Sequence, residues 1–311
     1  MISERIKSYE INSKGKVSIF FIGSAHGNEI NSSKMLYYIM NILKADTSIV
    51  NKNINTLYFL PFANKSAIRN KTREAAYYGT DQNDAYDECG EYLRDSIRLY
   101  ITSLIESYDG TNKKLIVVDC HNSECVYPSV SIDTCCKNYR KIERITYEFN
   151  EQSTTNMYVL KWHTANENLK DWYNNYYGDY GFAITYESTG ISNSMDWNES
   201  IALSASLLLN YLNFCIDKFN DFYLNDNNIK DFYYHNIIPL AANADGIIEY
   251  LYPITHFYKA NDIIAYIRNI DDYNTIVGAI IAPNDGICID RGSDYYVMYG
   301  ISVCDFFIIN E

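Results

Sequence analysis

The chain reads as an α/β layered fold followed by a small all-β domain, and three observations predict this. Apolar runs at 17–22, 115–119 and 182–186 are short and rich in β-branched and aromatic residues, so each predicts a buried strand rather than a helix. The first of them leads through a glycine turn into a helical pattern, the order of a layered α/β unit. Beyond residue 225 the texture changes to short β-like runs punctuated at Asp245-Gly246, Asn261-Asp262, Asp271-Asp272, Asn284-Asp285-Gly286 and Arg291-Gly292.

In order along the chain, Gly23 ends the first strand. A helix is expected from the capping residues Asn31-Ser32-Ser33, with Met35, Leu36, Ile39 and Leu43 on its apolar face. Residues 56–60 form a further strand broken by Pro61. The polar segment from Asn64 to about Glu88 has no periodicity and is expected to be a long functional loop. Leu93, Ile97, Ile101 and Leu104 mark an amphipathic helix that returns the chain to the sheet at 115. Ile142, Ile145 and Phe149 mark another, and 195–215 a long helix closing the first domain. With Asn225-Asp226-Asn227-Asn228 as linker, the expected domains are 1–224 and 232–311.

Composition limits the function. Hydrophobic residues make up 47% and charged residues 21% of 311 residues, which is globular composition. A net charge of −13 and a pI near 4.8 argue against nucleic-acid or anionic-membrane partners, because phosphates would be repelled. No charged segment followed by an apolar one opens the chain, and no uninterrupted apolar run has membrane length, so a cytoplasmic protein is expected. The 8 cysteines are scattered without a C-x-x-C pair, so reduced thiols are expected and a thiolate zinc site is not.

The chemistry concentrates where the predicted strands end. His26 and Glu29 lie three residues apart on the turn after the first strand, and Gly27 between them allows a tight bend. An H-x-x-E pair alone is weak, since a hydrolytic zinc site needs a third protein ligand and an open position. The strand at 115–119 delivers His121, and the strand at 182–186 ends in Glu187. Taken singly, Arg73 reads as a solvated loop arginine and Glu187 as a strand-end acid; Asp119 either orients a ligand or caps a strand. His163, His235 and His256 read as packed or surface residues.

Together these segments resemble the succinylglutamate desuccinylase/aspartoacylase branch of the zinc carboxypeptidase family. The likeness is carried by Gly23-Ser24-Ala25-His26-Gly27-Asn28-Glu29, Asp119-Cys120-His121-Asn122 and Thr185-Tyr186-Glu187. Asn64-Lys65-Ser66-Ala67 with Thr72-Arg73 is similar to the family's N-P-x-A segment and T-R pair, and Ala282-Pro283-Asn284-Asp285-Gly286 to its A-P-x-x-G turn. The resemblance implies a three-layer sandwich around a mixed sheet, and one Zn2+ per chain held by His26, Glu29 and His121. It implies attack on an amide carbonyl by zinc-bound water, with Glu187 as the proton carrier and Arg73 stabilising the oxyanion. Asp119 would support a ligand from behind, and Asn83, Asp84 and Asn122 would contact the substrate. The family's D-x-N-R-x-F segment corresponds to Asp81-Gln82-Asn83-Asp84-Ala85-Tyr86, so Asp84 stands where an arginine pairs with a substrate carboxylate. The expected substrate is therefore a small N-acyl derivative of a neutral or cationic amine. A metallocarboxypeptidase acting on peptides and a non-catalytic metal-binding relative are the alternatives, and self-association into a homo-oligomer is left open.

Overall fold

Strands that are apolar on both faces need a layer on each side, and here they take the middle of a seven-stranded sheet. The computed structural model describes residues 2–73, 92–122, 128–133, 138–153, 157–162, 168–188, 197–218, 237–252, 256–272, 274–291, 296–300 and 302–308. Strands β1 (Lys7–Glu10), β2 (Val17–Gly23), β3 (Ile54–Leu60), β4 (Lys114–Asn122), β5 (Ser129–Asp133), β6 (Tyr158–Trp162) and β7 (Gly181–Ser188) are arranged in the order β1-β3-β2-β4-β7-β5-β6. The central strands β3, β2, β4 and β7 run parallel. β1 is antiparallel to β3 and β5 antiparallel to β7, so the sheet is mixed.

Side chains alternate between the two faces of a strand, and the core divides accordingly. Ile19, Phe21, Ile116, Val118, Phe182 and Ile184 pack with α1 (Ile30–Ala45), α4 (Tyr139–Gln152) and α6 (Trp197–Asp217). Phe20, Ile22, Leu115, Val117 and Ala183 pack with α3 (Tyr92–Glu106) and α5 (Leu169–Tyr177). This is the three-layer arrangement. Within α6, the stretch Asn198–Asp217 is long and apolar enough to cross a membrane by length and composition, with a mean hydropathy of 1.3 over its most apolar window. Its Ala205, Leu207, Leu208, Tyr211, Leu212 and Cys215 are buried in the core beneath the sheet.

The described residues up to 218 form one compact unit and residues 237–308 belong to a second. The second unit holds β8 (Ile237–Ala241), β9 (Gly246–Tyr250), β10 (Phe257–Tyr258), β11 (Ile263–Arg268), β12 (Ile276–Ile281), β13 (Gly286–Arg291), β14 (Tyr296–Val297) and β15 (Ser302–Ile308). They make two four-stranded sheets, β10-β13-β15-β8 and β12-β11-β9-β14, around a core that includes Ile264, Ala265, Ile267, Val303 and Phe306.

Two expectations are corrected, and four elements come without a sequence signal. The segment from Asn64 is not loop throughout, because Asn64 caps a short helix, α2 (Lys65–Asn70), by accepting from the Ala67 N–H at 3.1 Å. Helix α1 begins at Ile30, so Asn31, Ser32 and Ser33 lie inside it and are buried rather than capping it. Strands β1, β5 and β6 and helix α5 were not marked by any periodicity in the sequence.

Candidate metal centre

The register of the parallel strands brings the chemistry to one edge. Gly23 pairs with Cys120 across β2 and β4, and His121 with Glu187 and Asn122 with Ser188 across β4 and β7. Leu115 and Val117 face the α3/α5 layer, so the alternation carries Asp119 and His121 to that same face. Ala183 does likewise on β7, which places Thr185 and Glu187 beside them.

The turn after β2 supplies the other two groups. Ser24 is left-handed at φ 52°, a conformation that disfavours side chains and is held here by hydrogen bonds. Its N–H donates to Ser32 Oγ at 2.9 Å, and its hydroxyl shares a 2.5 Å hydrogen bond with Ser33. Ser24 and Ser32 also both donate to the Glu29 carbonyl, at 3.1 and 2.8 Å. Gly27 lies against α2 so closely that a Cβ would come within 2.2 Å of the Ala67 carbonyl carbon, so only glycine fits. Asn64 donates from Nδ2 to the Ala25 carbonyl at 3.1 Å, and the Gly27 N–H donates to the Arg73 carbonyl at 3.1 Å. These bonds tie turn, α2 and Arg73 into one piece.

The result is a buried convergence. His26 Nδ1 lies 2.7 Å from Glu29 Oε1 and His121 Nδ1 lies 2.9 Å from Glu29 Oε2. The two imidazoles meet edge to face with centroids 4.7 Å apart, and one ligand atom from each of the three residues falls within 4.8 Å of the others. His26, His121 and Glu29 are 2%, 3% and 8% exposed. Asp119 Oδ2 sits 3.0 Å from His121 Nε2, which leaves Nδ1 turned to the centre. Half-exposed Arg73 places Nη1 3.0 Å from Glu29 Oε1, and the Asn122 N–H donates to Glu29 Oε2 at 3.2 Å.

Burial and neighbours set the charges. Burial opposes ionisation of Glu29, yet His121 and His26 hold its carboxyl well below the usual carboxylate range. Burial likewise opposes charge on His121, but Asp119 and Glu29 outweigh it and push the imidazole up. Glu187 behaves oppositely: burial, with Glu29 and Asp119 nearby, outweighs the pull of His121 and His26 and lifts it to about 7. It keeps part of its surface accessible while the surrounding protein desolvates its carboxyl. Two imidazole nitrogens and a carboxylate oxygen, buried together, are a donor set that fits a zinc-type ion. Cys120 belongs to the core on the opposite face, and burial raises its thiol well above the ordinary value, so it is not a donor here.

No family model and no curated protein matches the chain. Solved structures do. The product-bound ectoine utilization protein EutE (DoeB) of Ruegeria pomeroyi superposes with a TM-score of 0.68 at 15% identity, covering 98% of this chain and 88% of that one. An aspartoacylase family protein of Mesorhizobium loti gives 0.69 at 15% identity, covering 98% and 89%. A succinylglutamate desuccinylase of Silicibacter sp. gives 0.66 at 16%, covering 98% and 88%. The fold is that of the succinylglutamate desuccinylase/aspartoacylase structures. A metallo-carboxypeptidase of Burkholderia cenocepacia shares it over 69% of this chain, with a TM-score of 0.52 at 13% identity.

Within this aspartoacylase-type fold the sequence-predicted residues fall into three groups. His26, Glu29, Arg73, Asp119, His121 and Glu187 come together at one sheet edge. Asn122 is there too, but it reaches Glu29 through its backbone N–H. Asn83 and Asp84 lie outside the described residues, as do His163 and His235. His256 is in the second unit, stacked on Tyr252 at 4.0 Å. Sequence reasoning missed the serines that shape the site, Ser24, Ser32, Ser33 and Ser188, whose only signal was their position beside the motif residues.

Proposed function

We propose that the protein is a metal-dependent hydrolase that cleaves the amide bond of a small N-acyl amine, with His26, Glu29 and His121 holding a single zinc ion. The observation that carries this reading is the convergence of those three buried donors beside a fourth, desolvated carboxyl on the adjoining strand. When bound, zinc lowers the pKa of a coordinated water toward about 7 and polarises a carbonyl. Glu187 takes the proton of the attacking water and hands it to the departing amine, a task suited to a carboxyl beside His121 at the strand ends. Arg73, tethered at 3.0 Å from Glu29, offers its remaining N–H groups to the oxygen on which negative charge develops. Asp119 holds His121 from behind so that its Nδ1 faces inward.

The relatives in fold include a product-bound ectoine utilization protein and a succinylglutamate desuccinylase, which supports a small-molecule substrate. Asp84 in place of an arginine favours a neutral or cationic amine over an acidic amino acid. The test is elemental analysis of the purified protein with an amine-release screen over acetylated, succinylated and peptide substrates. Glu187→Gln is expected to lower turnover at least about a hundredfold while keeping one metal per chain. Unchanged turnover in that variant, or a wild-type protein without stoichiometric metal, would overturn the reading.

A further inference from the structure

Ser188 follows Glu187 at the end of β7, is 2% exposed, and spends its hydroxyl on the neighbouring strand. It donates to the His121 carbonyl at 2.8 Å and stands 3.4 Å from Asn122 Oδ1, its register partner. Asn122 in turn presents its N–H to Glu29 Oε2 at 3.2 Å. One hydroxyl therefore ties the strand carrying Glu187 to the last two residues of the strand carrying His121, and through Asn122 to Glu29.

We infer that Ser188 is a positioning residue for the metal centre: its hydroxyl fixes the end of β4, and with it the His121 imidazole and the amide that orients Glu29. The inference rests on the metal-binding reading above. Beside the ladder that pairs Asn122 with Ser188, the hydroxyl adds a side-chain tie between β4 and β7, while β5 holds Glu187 from the other side. A ligand whose backbone is less firmly held meets its ion with more of the binding free energy spent on ordering it. Groups that hold ligands in this way typically change metal affinity by 10–100-fold when removed, roughly the scale expected here. Without the hydroxyl, the buried His121 carbonyl also loses a donor, a cost to the folded state whether or not the ion is bound.

The experiment is the Zn2+ dissociation constant of the full chain, measured by competition with a chromophoric chelator, for wild type, Ser188→Ala, Ser188→Cys and Ser188→Thr. Ser188→Ala and Ser188→Cys are expected to bind zinc about 10-fold more weakly. Ser188→Thr, which keeps the hydroxyl, should recover most of the affinity. The metal-free Ser188→Cys protein is expected to remain folded at the assay temperature, its thermal midpoint lowered only by the one hydrogen bond lost, which separates positioning from unfolding. Wild-type affinity in Ser188→Ala or Ser188→Cys overturns the inference, as does a Ser188→Thr protein as weak as Ser188→Ala. A metal-free Ser188→Cys protein already unfolded at the assay temperature also overturns it. Those results leave the metal centre standing, whereas a wild-type chain that binds no zinc removes both.

Discussion

Glu187 sits in an environment that departs from water, and that departure has a measurable sign. Its folded carboxyl is lifted to about 7 from 4.5, so between those values the folded state binds more protons than the unfolded one. The contribution of Glu187 to the stability of the metal-free protein therefore falls as pH rises from 4.5 through 7. Glu187→Gln cannot ionise and escapes the penalty. The metal-free variant is expected to gain up to about 3 kcal/mol over wild type above pH 7 and nothing below pH 4.5, read by urea denaturation across pH. At this scale the ligand residues were legible because imidazole and carboxylate at strand ends carry chemistry in their identity. Ser188 was not, because a serine donates to whatever carbonyl the register supplies, and His121 is 67 residues away along the chain.

Among the elements, α2 shows how a six-residue helix serves a site that it does not enter. Asn64 accepts from the Ala67 N–H with one end of its side chain and donates to the Ala25 carbonyl with the other, while Gly27 packs on Ala67. Asn64→Ala is expected to cost about 1 kcal/mol of stability as a lost cap, by urea denaturation, and to weaken zinc binding because the turn carrying His26 is released. The long apolar strands β2, β4 and β7 could be read from sequence because burial on both faces leaves a continuous run. Strand β5 could not. Its Ser129 and Ser131 pair with Glu187 and Thr185 on the polar face next to the site, so functional polarity breaks the hydrophobic pattern. Helix α5 hid for a related reason: Asn168 caps it, and Asn174 bonds both the N–H and the carbonyl of Ala183, so polar side chains do work that apolar spacing would have announced.

For the whole molecule, the two units have separate hydrophobic cores, and every ligand of the candidate centre belongs to the first. Calorimetry of the full chain is expected to resolve two transitions, with zinc moving only one. At free zinc 100 times its dissociation constant the first unit should gain about 2.7 kcal/mol. A single transition shifting as a block would show that the units unfold together. The layered class and the later β region followed from texture, whereas the order of strands did not, since pairing between segments distant in sequence leaves no local trace.

The sheet also sorts damage by side. Asp119, His121, Thr185 and Glu187 share the face that looks toward α3 and α5, and the residues behind them look toward α1, α4 and α6. A swap of one aliphatic for another behind the sheet is thus free to drift, taxed only in robustness to heat. The equivalent swap in front shifts the floor beneath the candidate metal centre, so the two sides of one layer should age at different speeds as the lineage diverges.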